Sequence, residues 1–186
     1  MPQIRRILGV MEMLMRLHHF ERRLFARIFR QGERRAVIPL AIALSRSGAV
    51  YLSFLVPLLL WLLGAPSFSQ FPTLLLVGFA VERIVYRSLK NTLKRPRPPT
   101  AIHGLNSRIV ASAKFSFPSG HSSGGSLLAT TLSVIYGGPV LAIYLWASGV
   151  AFSRVLLGVH FPGDIFAGAL MGSSIALACA ALLGFI

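Results

Sequence analysis

The chain contains little negative charge and almost no cysteine. Only five of its 186 residues are Asp or Glu, and Asp164 is the one aspartate. A site built on several carboxylate ligands, such as a two-metal centre, is therefore not expected. Cys179 is the single cysteine, which excludes an intrachain disulfide framework. With 13% charged and 54% hydrophobic residues, the composition excludes a disordered chain and differs from that of a typical soluble domain.

Three long segments, residues 47–81, 115–153 and 165–186, lack Asp, Glu, Lys and Arg altogether. Each is long enough to cross a bilayer at least once, since a spanning helix needs about 20 mostly apolar residues. The mean hydropathy of the chain, +0.69, reflects these segments. The sequence therefore predicts an all-α, polytopic transmembrane helical bundle.

Positive charge is abundant and unevenly distributed. Nineteen Lys and Arg residues give a formal net charge of +14, and nine of the arginines lie within the first 35 residues. Such a charge suits nucleic acid, anionic lipid or a phosphorylated substrate. Because the basic residues adjoin apolar segments instead of covering a soluble surface with base-stacking aromatics, no nucleic-acid partner is expected.

Residues 1–35 form a basic arm, in which residues 4–30 have the periodicity of an amphipathic helix. Its apolar positions include Ile4, Ile7, Leu8, Met11, Leu14 and Met15. We expect this helix to lie in the membrane interface, with its arginines against anionic lipid head groups. A soluble arm packed on a partner is the alternative.

Residues 36–186 form the predicted transmembrane domain, with five crossings delimited by prolines and turn residues. The crossings run from about 48 to 63, 71 to 94, 118 to 137, 140 to 158 and 162 to the C-terminus. The apolar run 36–44 is too short to span, and residues 95–118 form a loop. Pro118 and Pro162 suit helix starts, where a missing N–H group is tolerated. With this count, the polar residues of the chain converge on one membrane face.

Three separated segments deliver reactive side chains to that face. They are the cations Lys90, Arg97 and Arg154, the turn residues Ser119 and Gly120, the imidazoles of His121 and His160, and the carboxylate of Asp164. This inventory suits a phosphate monoester or a diphosphate, because positioned cations and helix N-terminal amides stabilise charge on phosphoryl oxygens.

Five of these residues are predicted to bind the phosphate. Lys90, Arg97 and Arg154 each bind an oxygen, the arginines through a bidentate fork. Ser119 and Gly120 lie where free backbone N–H groups of the third crossing point outward, and glycine allows close approach.

The remaining three residues are predicted to perform the chemistry. A neutral His160 attacks phosphorus while a protonated His121 gives its proton to the leaving alkoxide, and water later reverses the roles. Asp164 fixes the tautomer of His160 by accepting from its other ring nitrogen. No metal ligand is assigned, since the chain has so few carboxylates.

The three segments resemble the signature motifs of the type 2 phosphatidic acid phosphatase superfamily. They are KNTLKRPRP (90–98), PSGH (118–121) and SRVLLGVHFPGD (153–164), in the family's order and spacing. The hydrophobic layout extends the match to about 45–186. The resemblance implies a lipid phosphate phosphatase without a cofactor and the same role for each residue. The family's usual members have six spans, and we expect the basic arm to take the place of the first.

The charge bias favours a multi-pass protein of the inner membrane with a cytoplasm-facing site, because the arm and the site share one side and nearly all Lys and Arg lie there. This differs from the outward-facing site usual in the family. Arg87, Lys94 and Arg95 are interpreted as anchors on that side, and Glu82 as an internal ion pair with its neighbour Arg83.

The sequence distinguishes neither the oligomeric state nor the substrate among phosphatidic acid, phosphatidylglycerophosphate, polyprenyl diphosphate and polyprenyl sugar phosphates. Two other classes of function stay open. A vanadium-dependent haloperoxidase resembles the same motif set, but it needs vanadate and the membrane segments argue against it. A non-enzymatic membrane scaffold or transporter would keep its function after His160→Ala.

Overall fold

The computed structural model of the chain describes residues 2–48, 51–65, 70–137 and 141–186. Within these ranges all regular secondary structure is helical, as the sequence predicts. The helices are α1 (Pro2–Gln31), α2 (Val37–Ser47), α3 (Tyr51–Leu62), α4 (Gln70–Leu93), α5 (Pro98–Ala101), α6 (Gly120–Tyr136), α7 (Leu141–Leu156) and α8 (Pro162–Leu182).

Helix α1 covers the predicted amphipathic segment, and its second half packs on the bundle. Phe25 is fully buried, in a cluster with Val155 of α7 and Phe161 of the linker that follows α7. Towards the N-terminus, Met11 and Met13 are exposed. The position of α1 in a membrane interface stays a prediction.

The apolar run 36–44 forms part of α2, a helix that the sequence analysis does not predict. Its buried residues are Ala41 and Ser45. Ala41 packs with Leu156 and Leu157 at the end of α7. Helix α2 is therefore a short element against α7, and it brings Ser45 into the protein interior.

Helices α4, α6 and α8 share the main core, which centres on Phe71, Leu127 and Ala176. Two glycines let α8 approach the backbone of α6. A Cβ atom at Gly168 would lie 2.5 Å from the carbonyl oxygen of Ser119, and one at Gly172 would collide with the carbonyl oxygen of Ser123. The first turns of α6 and α8 are therefore held side by side.

The starts of α6 and α8 differ in how they use proline. Pro162 occupies the first turn of α8, as predicted. Pro118 instead precedes the N-cap residue Ser119, after a cis Phe117–Pro118 peptide bond, and α6 begins at Gly120. His121 therefore lies in the first turn of α6.

Among the described residues, α8 is the one helix that is both long enough and apolar enough to cross a membrane by itself. Two shorter apolar helices cover Val37–Ser47 and Ala142–Leu156. Large hydrophobic side chains nevertheless cover much of the exterior, including Leu62 of α3, Leu76 of α4 and Phe166 of α8. The count of five crossings stays a prediction.

Candidate active site

Most of the predicted reactive residues line one cavity of about 220 Å³. Five of the eight line it directly, namely Arg97, Gly120, His121, Arg154 and His160. They come from the loop after α4, the start of α6, the end of α7 and the linker before α8. We call this space the basic cavity, because histidines and arginines dominate the polar part of its wall.

His160 lies in the wall of the basic cavity with 3% of its surface exposed. Its Nε2 atom is 3.4 Å from Nη1 of Arg97, and its Nδ1 atom is 3.5 Å from Oδ2 of Asp164. The second distance is longer than an ordinary hydrogen bond. Placing a proton on Nδ1, towards the carboxylate, leaves the lone pair on Nε2.

Burial lowers the pKa of His160 to about 4, because desolvation disfavours the imidazolium. The Asp164 carboxylate acts in the opposite direction, while the charges of Arg97 and Arg154 lower the pKa further. His160 is therefore neutral near pH 7, as a nitrogen nucleophile must be.

Arg97 is buried and bound only to neutral acceptors and a ring nitrogen. Its Nε atom donates to the carbonyl oxygen of Ala113 at 2.7 Å, and Nη1 donates to that of Val159 at 2.6 Å. These bonds fasten the loop after α4 to the linker before α8. Burial lowers the pKa of Arg97, which nevertheless stays charged at neutral pH.

Arg154 is 5% exposed and has a similar environment. One terminal nitrogen donates to the hydroxyl of Ser45, and the buried Nε atom has no hydrogen-bond partner among the described residues. Ser45 was not predicted to take part in the site, since nothing in the sequence connects α2 with α7.

Lys90 and Ser119 do not line the basic cavity but contact residues close to it. The Lys90 ammonium donates to the carbonyl oxygen of Pro118 at 3.2 Å and lies 4.4 Å from the ring centre of Tyr86, which does line the cavity. The expectation of a free Ser119 amide is wrong, because close packing of α6 on α8 makes it donate to the carbonyl oxygen of Asp164 at 3.0 Å. Gly120 does line the cavity, and its contact with phosphate stays a prediction.

Asp164 is fully buried and bound from two sides. Its Oδ2 atom accepts from the Phe161 amide at 2.8 Å, and Oδ1 accepts from Nη1 of Arg95 at 2.7 Å. The sequence analysis does not predict this contact of Arg95, whose interpretation as an anchor on the charged side stays a prediction. Arg95 also pairs with Glu21 of α1, and although burial opposes the charged form, the two carboxylates raise its pKa overall.

A further prediction concerns the acidic residue Glu82. Glu82 is fully buried, and its Oε2 atom lies 3.2 Å from Nε of Arg83, so the predicted ion pair is confirmed. Within the part of the chain that the structure describes, no three His, Cys, Asp or Glu side chains cluster as a metal site would require.

Residues 71–185 match the family model of the PAP2 superfamily, which is more than half of the chain. The chain belongs to the PAP2 superfamily. The resemblance drawn from the three motifs is thereby confirmed. All eight predicted site residues fall within the matched range.

Relatives in the superfamily are phosphatases by name. Phosphatidylglycerophosphatase B of Bacillus subtilis is 33% identical over 135 residues, which is 64% of this chain and 63% of that protein. Decaprenylphosphoryl-5-phosphoribose phosphatase of Mycobacterium tuberculosis is 25% identical over 143 residues, or 77% of this chain and 78% of that protein. The chain thus spans less than two thirds of the length of the Bacillus relative.

The fold has a counterpart among solved structures. LpxE of Aquifex aeolicus superposes with a TM-score of 0.74, covering 86% of this chain and 93% of that protein at 24% identity. At this identity the likeness establishes the helical fold alone.

Proposed function

We propose that this chain is a membrane-integral phosphatase that removes phosphate from a lipid phosphate or an isoprenoid (di)phosphate. The reaction proceeds through a phosphohistidine on His160 and needs no metal ion. One observation supports this more than any other: the basic cavity and its wall contain buried cations without a carboxylate partner.

Buried charges are normally paired, because desolvating an isolated ion is costly. Among the described residues, neither Lys90, Arg97 nor Arg154 forms an ion pair. Their hydrogen bonds go to carbonyl or hydroxyl oxygens, and Nε of Arg154 has none. A phosphate group in the cavity would supply the missing negative charge and several acceptor oxygens.

The proposed mechanism has two displacement steps. The Nε2 lone pair of His160 forms a bond to phosphorus as the bond from phosphorus to the leaving oxygen breaks, and His121 gives its proton to that oxygen. Water then attacks the phosphohistidine, passing a proton back to His121, and the nitrogen–phosphorus bond breaks to release inorganic phosphate. Arg97 and Arg154 stabilise the charge on the phosphoryl oxygens in both steps.

Apolar surfaces favour a lipid substrate and a membrane location. Exposed Leu62, Leu76 and Phe166 would contact acyl chains while the phosphate enters the cavity. The relatives named above act on phosphatidylglycerophosphate or a decaprenyl phosphosugar by their names, so we propose a substrate of one of these two kinds. Anionic lipids at α1 and a cytoplasm-facing site belong to the same proposal.

The decisive test is phosphate release by detergent-purified protein from phosphatidylglycerophosphate and a polyprenyl phosphosugar, with phosphatidic acid and polyprenyl diphosphate for comparison. His160→Ala should lower turnover at least about a thousandfold, because it removes the nucleophile. His103→Ala, an exposed loop histidine, is the matched control and should keep full activity. A chelator should have little effect, and rapid quenching of ³²P-labelled substrate should trap labelled protein in the wild type only. Full activity of His160→Ala would reject the mechanism. Loss of wild-type activity on addition of the chelator would also reject it.

A further inference from the structure

Helix α1 reaches the site through one carboxylate. Glu21 accepts from Nη2 of Arg95 through Oε2, and from the Gly163 amide at 2.9 Å through Oε1. Nη1 of the same Arg95 donates to Asp164, whose other oxygen lies 3.5 Å from Nδ1 of His160. Glu21, Arg95, Asp164 and His160 thus form a series of contacts from α1 to the basic cavity, in which the last contact, at 3.5 Å, is longer than an ordinary hydrogen bond.

We propose that Glu21 is a positioning residue for the phosphatase reaction, acting on His160 through Arg95 and Asp164. This inference rests on the proposed function, because it assumes that His160 is the nucleophile. It assigns the N-terminal arm a role in the site itself, beyond any contact with lipid.

The geometry of Arg95 explains why a second carboxylate matters. A guanidinium is a planar fork, and here its two terminal nitrogens bind two different carboxylates while its carbon lies 4.7 Å from the centre of the Phe161 ring. Without Glu21, one side of the fork is free and Arg95 can rotate onto Asp164 alone. The Asp164 carboxylate, still held at Oδ2 by the Phe161 amide at 2.8 Å, would then be free to tilt about that bond, and the imidazole would lose its fixed orientation.

Glu21 also acts on the first turn of α8. The amide of Gly163 lies in that turn, where backbone N–H groups have no partner within the helix. A carboxylate at a helix N-terminus is favourable through both the hydrogen bond and the helix dipole. Since Asp164 is the next residue, the same contact restrains the backbone that carries it.

If Glu21 served only to hold α1 against the bundle, its substitution would impair folding and leave the catalytic constants of the folded protein unchanged. One helical turn further along α1, Phe25 is fully buried against Val155 and Phe161. This apolar contact should keep α1 docked when Glu21 is neutralised. Glu21→Gln should therefore fold, and its defect should lie in catalysis.

The test compares Glu21→Gln with Glu12→Gln, an exposed acid on the same helix. For Glu21→Gln we expect kcat to fall about ten- to a hundredfold, as for other groups that orient a reacting residue, with KM within about twofold of wild type. Glu12→Gln should keep both constants. Wild-type kcat in folded Glu21→Gln, or a loss confined to KM, would overturn the proposal.

Arg95 gives a second measurement, which begins with a variant in which Glu21 is intact. Arg95→Lys keeps the charge but cannot hold two carboxylates with a planar fork, so its kcat should fall with KM unchanged. If Glu21 acts through Arg95, adding Glu21→Gln to Arg95→Lys should lower kcat little further. A double variant whose loss of kcat equals the product of the two single losses would contradict this. The proposed function is tested separately, by activity of the wild type and inactivity of His160→Ala. If both are found, an unchanged kcat in the Glu21 and Arg95 variants contradicts only the role of Glu21.

Discussion

Arg95 and Arg97 are separated by a single residue, yet they lie in opposite electrostatic environments. Arg95 binds two carboxylates, those of Glu21 and Asp164, in what we call the α1 joint. Arg97 lines the basic cavity, where its partners are two carbonyl oxygens and, at 3.4 Å, a ring nitrogen of His160.

The difference shows how a binding cation is distinguished from a structural one. In the α1 joint, positive and negative charges balance within the protein, so the joint holds helices together without a ligand. In the basic cavity, the desolvation of Arg97 and Arg154 is not offset by any carboxylate bound to them. The free-energy cost of burying these two arginines is therefore offset only when an anion binds in the cavity.

In the comparison of these two regions, the largest effect should come from removing a cation of the basic cavity. Arg154→Gln should lower turnover about a hundred- to a thousandfold, as does the loss of one donor that stabilises developing charge. Arg46→Gln, which removes an exposed arginine next to Ser45 in α2, should leave turnover unchanged. The measurement is phosphate release at saturating substrate. Equal turnover in the two variants would contradict the role of the cavity cations.

Removing an arginine from one region or from the other should change the stability of the folded protein in different ways. Without phosphate, Arg95→Met should lower the free energy of unfolding by about 2 kcal/mol, because the buried Asp164 carboxylate loses its partner. Arg154→Met should be neutral or stabilising, since it removes a buried charge that no carboxylate neutralises. Thermal unfolding in one detergent measures both.

Phosphate provides the control for that experiment. Saturating inorganic phosphate should raise the unfolding temperature of wild type and of Arg95→Met, because a ligand stabilises the protein that binds it. The increase should be smaller for Arg154→Met, which has lost a phosphate-binding cation. A strong loss of stability in Arg154→Met and none in Arg95→Met would reverse the assignment of the two regions.

Much of this arrangement is readable in the sequence. Charge-free segments ended by prolines predict α4, α6, α7 and α8 within a few residues, because proline and a polar turn act locally. The three motifs predict that His121, Arg154 and His160 share one cavity. Their spacing is informative because each motif lies at a helix end on the same side of the bundle.

The α1 joint is not readable in the same way. Arg95 lies in the basic run KRPR, where a charge at a helix end is ordinarily an anchor. Its carboxylate partners are 74 and 69 residues away, and the Ser45 partner of Arg154 is 109 residues away. No periodicity encodes such contacts, since they arise only when α1, α2 and α8 have packed.

The smallest effect, in the pH dependence of kcat/KM, sharpens the same contrast. That profile reports the free enzyme, so its acid limb should lie near pH 4, where His160 becomes protonated and loses its lone pair. Arg97→Gln removes a neighbouring positive charge, which raises the pKa of His160 and should move the acid limb to higher pH. Arg97→Lys keeps the charge and should leave the limb near its wild-type position. An acid limb that stays in place in Arg97→Gln would mean that the cavity cations do not control the protonation of the nucleophile.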